Sequence, residues 1–297
     1  MLSVKNMKTK FICILPFSIR VPPGSYPVKL KQIAIISVKQ IMKARIDGEE
    51  VDLEYDSKGV MSNSHITITF PWKIECVDED EINSVKIEAI KYLNRFIEVY
   101  RHYSDDCGVT PICYSDIPNY VYQYLDDTNK IIEENPRHFD TGGMLYAPEY
   151  FSSNDMIKCL ITNQNISFVK QLLLNSEKYL REENYRLSIL EAVTALEVSI
   201  TEFTINKFST YKIPKDTLTD FVKKTGLTLQ LKVLLNLYNE GAGKKISQSI
   251  VSEVISAITA RNHIVHYAAT NQKYSRKTVN KMLKNIKLLI NHIDSME

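Results

Sequence analysis

Between residues 10 and 77 apolar and polar positions alternate with a period of two, most cleanly in His65-Ile66-Thr67-Ile68-Thr69-Phe70. Successive side chains of a strand point to opposite faces, so this pattern predicts half-buried strands over 11–17, 32–45, 51–55 and 65–70, with Asp47-Gly48 as a turn. From residue 78 the period changes. Ile82, Val85, Ala89, Leu93, Phe96, Ile97 and Tyr100 recur at helical spacing, which predicts a long helix over 78–103 covering one face of the sheet. Asp78, Glu79, Asp80 and Glu81 would then sit at its electropositive end. Residues 104–164 are punctuated by Pro111, Pro118, Pro136, Gly142-Gly143 and Pro148, and 121–134 is left open between strand and helix. Tyr120, Tyr122 and Tyr124 fit a half-buried strand better than a platform for stacked bases.

The second half reads as helices over 167–183, 185–208, 216–224, 228–238, 247–268 and 275–294. Ser167, Thr228 and Ser275 are placed as N-caps, and Asn239-Glu240-Gly241-Ala242-Gly243 as a stop and turn. The expected fold class is α+β. A β-rich mixed domain spans 1–160, with its long helix at about 78–103, and an all-α bundle spans 161–297.

At 297 residues the chain is long enough for two domains that each bury a core without disulfides or metal. No apolar run reaches the ~20 residues that cross a bilayer, and Met1 to Lys10 carries lysines without a following signal-type apolar block, so the expectation is a cytoplasmic protein with no membrane partner. Cys13, Cys76, Cys107, Cys113 and Cys159 are odd in number and scattered, as reduced thiols would be. The net charge of +2 hides a polarity: residues 1–150 hold 17 Lys/Arg against 22 Asp/Glu, whereas 151–297 hold 20 against 13. A polyanion would be drawn to the basic half.

That half also contains Arg261-Asn262-His263-Ile264-Val265-His266. Arginine keeps its charge and presents a planar fork matched to phosphate oxygens; histidine exchanges a proton near neutral pH. These are the groups that metal-free cleavage of an RNA phosphodiester requires. On a helix, Asn262 and His266 share a face, but Arg261 and His266 diverge by about 140° around the axis. Two copies packed face to face would bring both kinds of side chain to one cleft, so a homodimer through the helical domain is expected. Glu197, set among Val193, Leu196 and Ile200, is the carboxylate placed to orient Arg261. Glu191, six residues earlier, is expected on the surface. His102, Cys107 and Cys113 lack zinc-site spacing, and Gly241-Ala242-Gly243-Lys244-Lys245 lacks the Walker spacing and its preceding strand, so neither metal nor cofactor is expected.

The Arg-Asn-x3-His spacing late in an all-helical region, with a preceding helix that carries an acidic residue, resembles the HEPN family over roughly residues 165–297. The resemblance implies a HEPN-like bundle acting as a metal-independent endoribonuclease that leaves 2′,3′-cyclic phosphate and 5′-hydroxyl ends. It casts His266 as the proton-transfer residue, Arg261 as the phosphate holder and Asn262 as the orienting group. His263 and Tyr267 are supporting neighbours, and Lys273, Arg276 and Lys277 are candidates to grip the RNA backbone. Some family members carry a modifiable tyrosine two residues after the histidine; that position is Ala268 here. By analogy with prokaryotic anti-phage and toxin systems, residues 1–160 would sense a protein or phage-derived trigger. The rival implication is a non-catalytic HEPN-like module for dimerisation or nucleotide binding.

Overall fold

The computed structural model describes residues 7–41, 43–46, 49–52, 63–76, 78–79, 82–135, 139–140, 151–209, 212–234, 246–266 and 274–296. The expected turns at Asp47-Gly48 and at 239–243 lie outside these residues, as do Tyr267 and Lys273. The architecture is α+β, an antiparallel sheet followed by helices. The chain divides into two compact units, residues 1–166 and 167–297. No described helix is long and apolar enough to cross a membrane.

In the first unit, β1 (Lys8–Ile14), β2 (Gly24–Lys29), β3 (Ile33–Ile41) and β6 (Asn63–Phe70) join β9 (Tyr120–Leu125) and β10 (Ile131–Glu134) in one sheet, ordered β10-β9-β1-β6-β3-β2. Two smaller sheets pair β4 (Lys43–Ile46) with β5 (Glu49–Asp52) and β11 (Phe139–Asp140), and β7 (Asp78–Glu79) with β8 (Ile82–Asn83). The period-two pattern does its work in β1 and β6, where Phe11, Cys13, Ile66, Ile68 and Phe70 are fully buried. They pack against α1 (Ser84–Ser104) through its Val85, Ala89, Tyr92, Leu93, Phe96 and Ile97. Tyr120, Tyr122 and Tyr124 lie on β9, with Tyr120 stacked on Phe11 at 5.4 Å between ring centroids.

The helix expected over 78–103 starts instead at Ser84. Asn83 takes extended backbone and its side chain accepts from the amides of Val85 and Lys86, which satisfies two of the donors a helix start leaves open. Asp78, Glu79 and Ile82 consequently belong to the small β7–β8 ladder, not to the helix. The segment left open at 121–134 is a hairpin. Asp126 Oδ1 caps its turn by accepting from Thr128 and Lys130, and Asn129 takes a left-handed φ of 65°.

His65 stands in the centre of the sheet, opposite Ile14 on one side and Lys39 on the other. Burial, with Lys39 and Lys10 adding repulsion, pushes its imidazole down from 6.5 to about 4. Between those values the unfolded chain takes up a proton that the folded chain refuses, so stability falls as pH drops through that window. Urea unfolding is expected to show a loss on the order of 2 kcal/mol between about pH 7 and about pH 4.5 that a His65→Gln variant lacks. Equal pH dependence in both proteins would contradict this role.

The second unit is built around α4 (Tyr185–Ser209), which packs against α3 (Phe168–Arg181), α5 (Lys215–Thr225), α6 (Gln248–His266) and α7 (Arg276–Asp294). Its buried positions, among them Ile189, Ala192, Val193, Ala195, Leu196 and Phe203, run round much of its circumference, as a helix with neighbours on several sides requires. Ser167 and Ser275 cap α3 and α7, each accepting an amide three residues on. Thr228 lies inside its turn, whose N-cap position is Gly226. The helix expected over 228–238 is a single turn at Leu227–Leu229 that widens into a π-helical stretch at Gln230–Leu234; residues 235–238 lie outside the described set. Gly226, with φ of 66°, turns the chain between α5 and that segment. The stretch 154–162, unassigned from sequence, is α2 (Asn154–Thr162) and belongs to the first unit. The five cysteines stand outside disulfides.

Candidate active site

Helix α6 positions the whole Arg261 to His266 group. Its core face runs through Val251, Val254, Ala257 and Ile258. Arg261 is three residues after Ile258 and seven after Val254, so it continues that stripe where the helix reaches the edge of the core. Only the aliphatic stem of an arginine suits such a position, and its guanidinium must find polar company at the rim. It does so in Glu197 of α4, whose carboxylate accepts from Arg261 Nη2. Arg261 Nη1 donates to Asn262 Oδ1 at 3.1 Å. The Arg261 side chain is 26% exposed and that of Glu197 47%, so the ion pair is wet on one side. Its geometry matters more here than its contribution to stability, which at such exposure is small.

An open cavity of about 480 Å³ lies beside this pair. Glu197, Arg261 and Asn262 form one wall; Thr225, Thr228 and Lys232, from the turn after α5, form another. The cavity therefore combines two cations, one carboxylate and two hydroxyls. An arginine has five N–H donors, and Glu197 and Asn262 engage two of its nitrogens, so donors remain for a phosphate oxygen entering from the cavity.

His266 is exposed, on the last described turn of α6, and the described lining of that cavity does not include it. The unbroken helix keeps the divergence of about 140° from Arg261 that the sequence spacing gives. His263 is exposed as well and lines a different cavity, on the opposite flank of α6. Within one chain, then, Glu197, Arg261 and Asn262 come together while His263 and His266 face outward. Arg276 and Lys277 are exposed on the first turn of α7. Glu191, expected on the surface, is half-buried and accepts from Asn175 at 3.5 Å. Lys232 and Thr225 carry no motif and were invisible in the sequence, because only the turn at Gly226 brings them beside α6. Comparisons with protein-family models, curated proteins and solved structures each found no match.

Proposed function

We propose that the helical unit is a HEPN-like domain and that the protein is a metal-independent endoribonuclease acting at a site shared by two chains. The observation that carries this reading is the guanidinium of Arg261, fixed by Glu197 and Asn262 at the rim of an open cavity, on the same helix as an outward-facing His266. Arg261 holds a non-bridging phosphate oxygen and the charge that grows on it as the ribose 2′-oxygen attacks phosphorus. One imidazole accepts the 2′-hydroxyl proton, and a proton is delivered to the departing 5′-oxygen as its bond to phosphorus breaks. With two chains, each of the two symmetric sites pairs Arg261 of one chain with His266 of the other as the base, and the departing oxygen takes its proton from water. The basic excess of residues 151–297 draws the RNA to this unit. The β-rich unit is assigned the part of sensor or restraint, in an anti-phage or toxin role.

The test is purified full-length chain incubated with RNA in EDTA, with the product ends analysed. Cleavage to 2′,3′-cyclic phosphate and 5′-hydroxyl ends is the expected result; uncut RNA or 3′-hydroxyl ends would rule the mechanism out. One observation favours the rival, a non-catalytic dimerisation or nucleotide-binding module: the ion pair with Glu197 takes up part of the donor capacity of Arg261. RNA or nucleotides retained without turnover would select it.

A further inference from the structure

Helix α7 carries Arg276, Lys277, Lys281, Lys284 and Lys287 and no carboxylate before Asp294. These cations do not share one face. Lys277, Lys281 and Lys284 fall within an arc of about 60°, centred about 180° from the buried stripe of Val279, Leu283, Ile286 and Leu289. Arg276 and Lys287 lie about 100° from its centre, on the flank where Lys287 meets Glu177 of α3. All three lysines of the arc are exposed, and among the described residues only Lys281 has an ionic partner, Glu253 of α6 at 2.6 Å. With side chains 62% and 37% exposed, that pair is weak, and its ammonium can pass to a phosphate at small cost. The arc covers roughly 10 Å of helix and gives way to the exposed Leu288 one turn further on. A stacked strand, with one charge per roughly 3.4 Å, sets about three phosphates over that length. The start of α7 stands beside the histidine end of α6, because Tyr274 and Thr278 line one cavity with His263.

We propose that this lysine stripe is a backbone track for single-stranded RNA, holding about three successive phosphates next to the bond that is cut. That the partner is a polyanion follows from the stripe; that it is RNA rests on the ribonuclease reading above. A lipid surface does not fit. A basic amphipathic helix binds a bilayer by burying its apolar face there, and the apolar face of α7 is already in the core. Ammonium groups on a ridge meet phosphates and no base edges, so the track positions the strand without reading its sequence.

The experiment measures binding of the full chain to a short fluorescent 2′-O-methyl oligouridylate, by anisotropy, between about 50 and 200 mM salt. The methyl group removes the nucleophile, so binding is read apart from cleavage. Replacing Lys277, Lys281 and Lys284 together with glutamine is expected to weaken binding about tenfold at about 100 mM salt and to lower the salt slope by about two. The same loss is expected with an oligoadenylate. Removing the same charge at Lys212, Lys223 and Lys224, exposed in and beside α5, controls for net charge, and the thermal midpoint controls for folding. An unchanged slope in the stripe variant, an equal loss in the control variant, or no binding by the wild type overturns the proposal. Displacement of the oligonucleotide by poly-glutamate as readily as by unlabelled oligonucleotide overturns the choice of RNA. On cleavable RNA the stripe variant should raise KM and spare kcat. Binding with the stated slopes and no cleavage sinks the ribonuclease and leaves the track standing; cleavage with an unchanged slope in the stripe variant does the opposite.

Discussion

Replacing His266 with alanine is expected to lower the rate of RNA cleavage by about 10²- to 10⁴-fold, the usual size of a general acid–base contribution. The fold should not notice. His266 is exposed at the last described turn of α6, and surface substitutions of that kind usually change stability by less than about 0.5 kcal/mol. The kinetic form of the loss matters as much as its size. A proton-transfer residue acts in the transition state, so kcat and kcat/KM should fall together, whereas a group that merely helps RNA to bind would raise KM and spare kcat. Gel assays with a defined oligonucleotide, together with a thermal melt, read both quantities. Undiminished cleavage by the variant would remove His266 from the chemistry and with it the ribonuclease reading.

What the sequence disclosed of this protein follows from how far each structural cause reaches along the chain. Strands β1 and β6 and the core stripe of α1 were legible because their burial is set by a regular period that the chain itself carries. Strand β2 was not, since Pro27 argues against a strand; it is tolerated because β2 is the edge of the sheet, where one row of amides needs no partner. The first turn of α1 was misplaced because acids at 78–81 imitate a helix start that Asn83 in fact supplies. The site divides in the same way. Glu197 could be matched to Arg261 from its place among Val193, Leu196 and Ile200, a local pattern on one helix. The cavity walls could not, because Thr225 closes α5 and Lys232 follows it through a turn at Gly226, of positive φ, and a π-helical stretch that no periodicity announces.

Mixing two inactive proteins is expected to restore activity. Arg261 sits at the end of the core-facing stripe of α6 and is tied back to α4, while His266 projects from the outer side of the same rigid helix. No rotamer change on a straight helix closes an angle of about 140°, so under the proposed reading one chain would contribute arginine to a cleft and a second would contribute histidine. An Arg261→Ala chain and a His266→Ala chain, refolded or co-expressed together, would form mixed dimers in about half of all pairings if exchange is random. In each mixed dimer one cleft combines the intact arginine of the second chain with the intact histidine of the first, and the other cleft lacks both. About a quarter of the wild-type activity should therefore return, two or more orders of magnitude above either protein alone. Sites complete within a single chain would give no recovery, because every chain in the mixture lacks one of the two groups. Sedimentation of the mixture, run beside the cleavage assay, establishes that paired chains are present when activity is read. A mixture that sediments as dimers and remains inactive would place both groups in separate functions and end the case for a shared cleft.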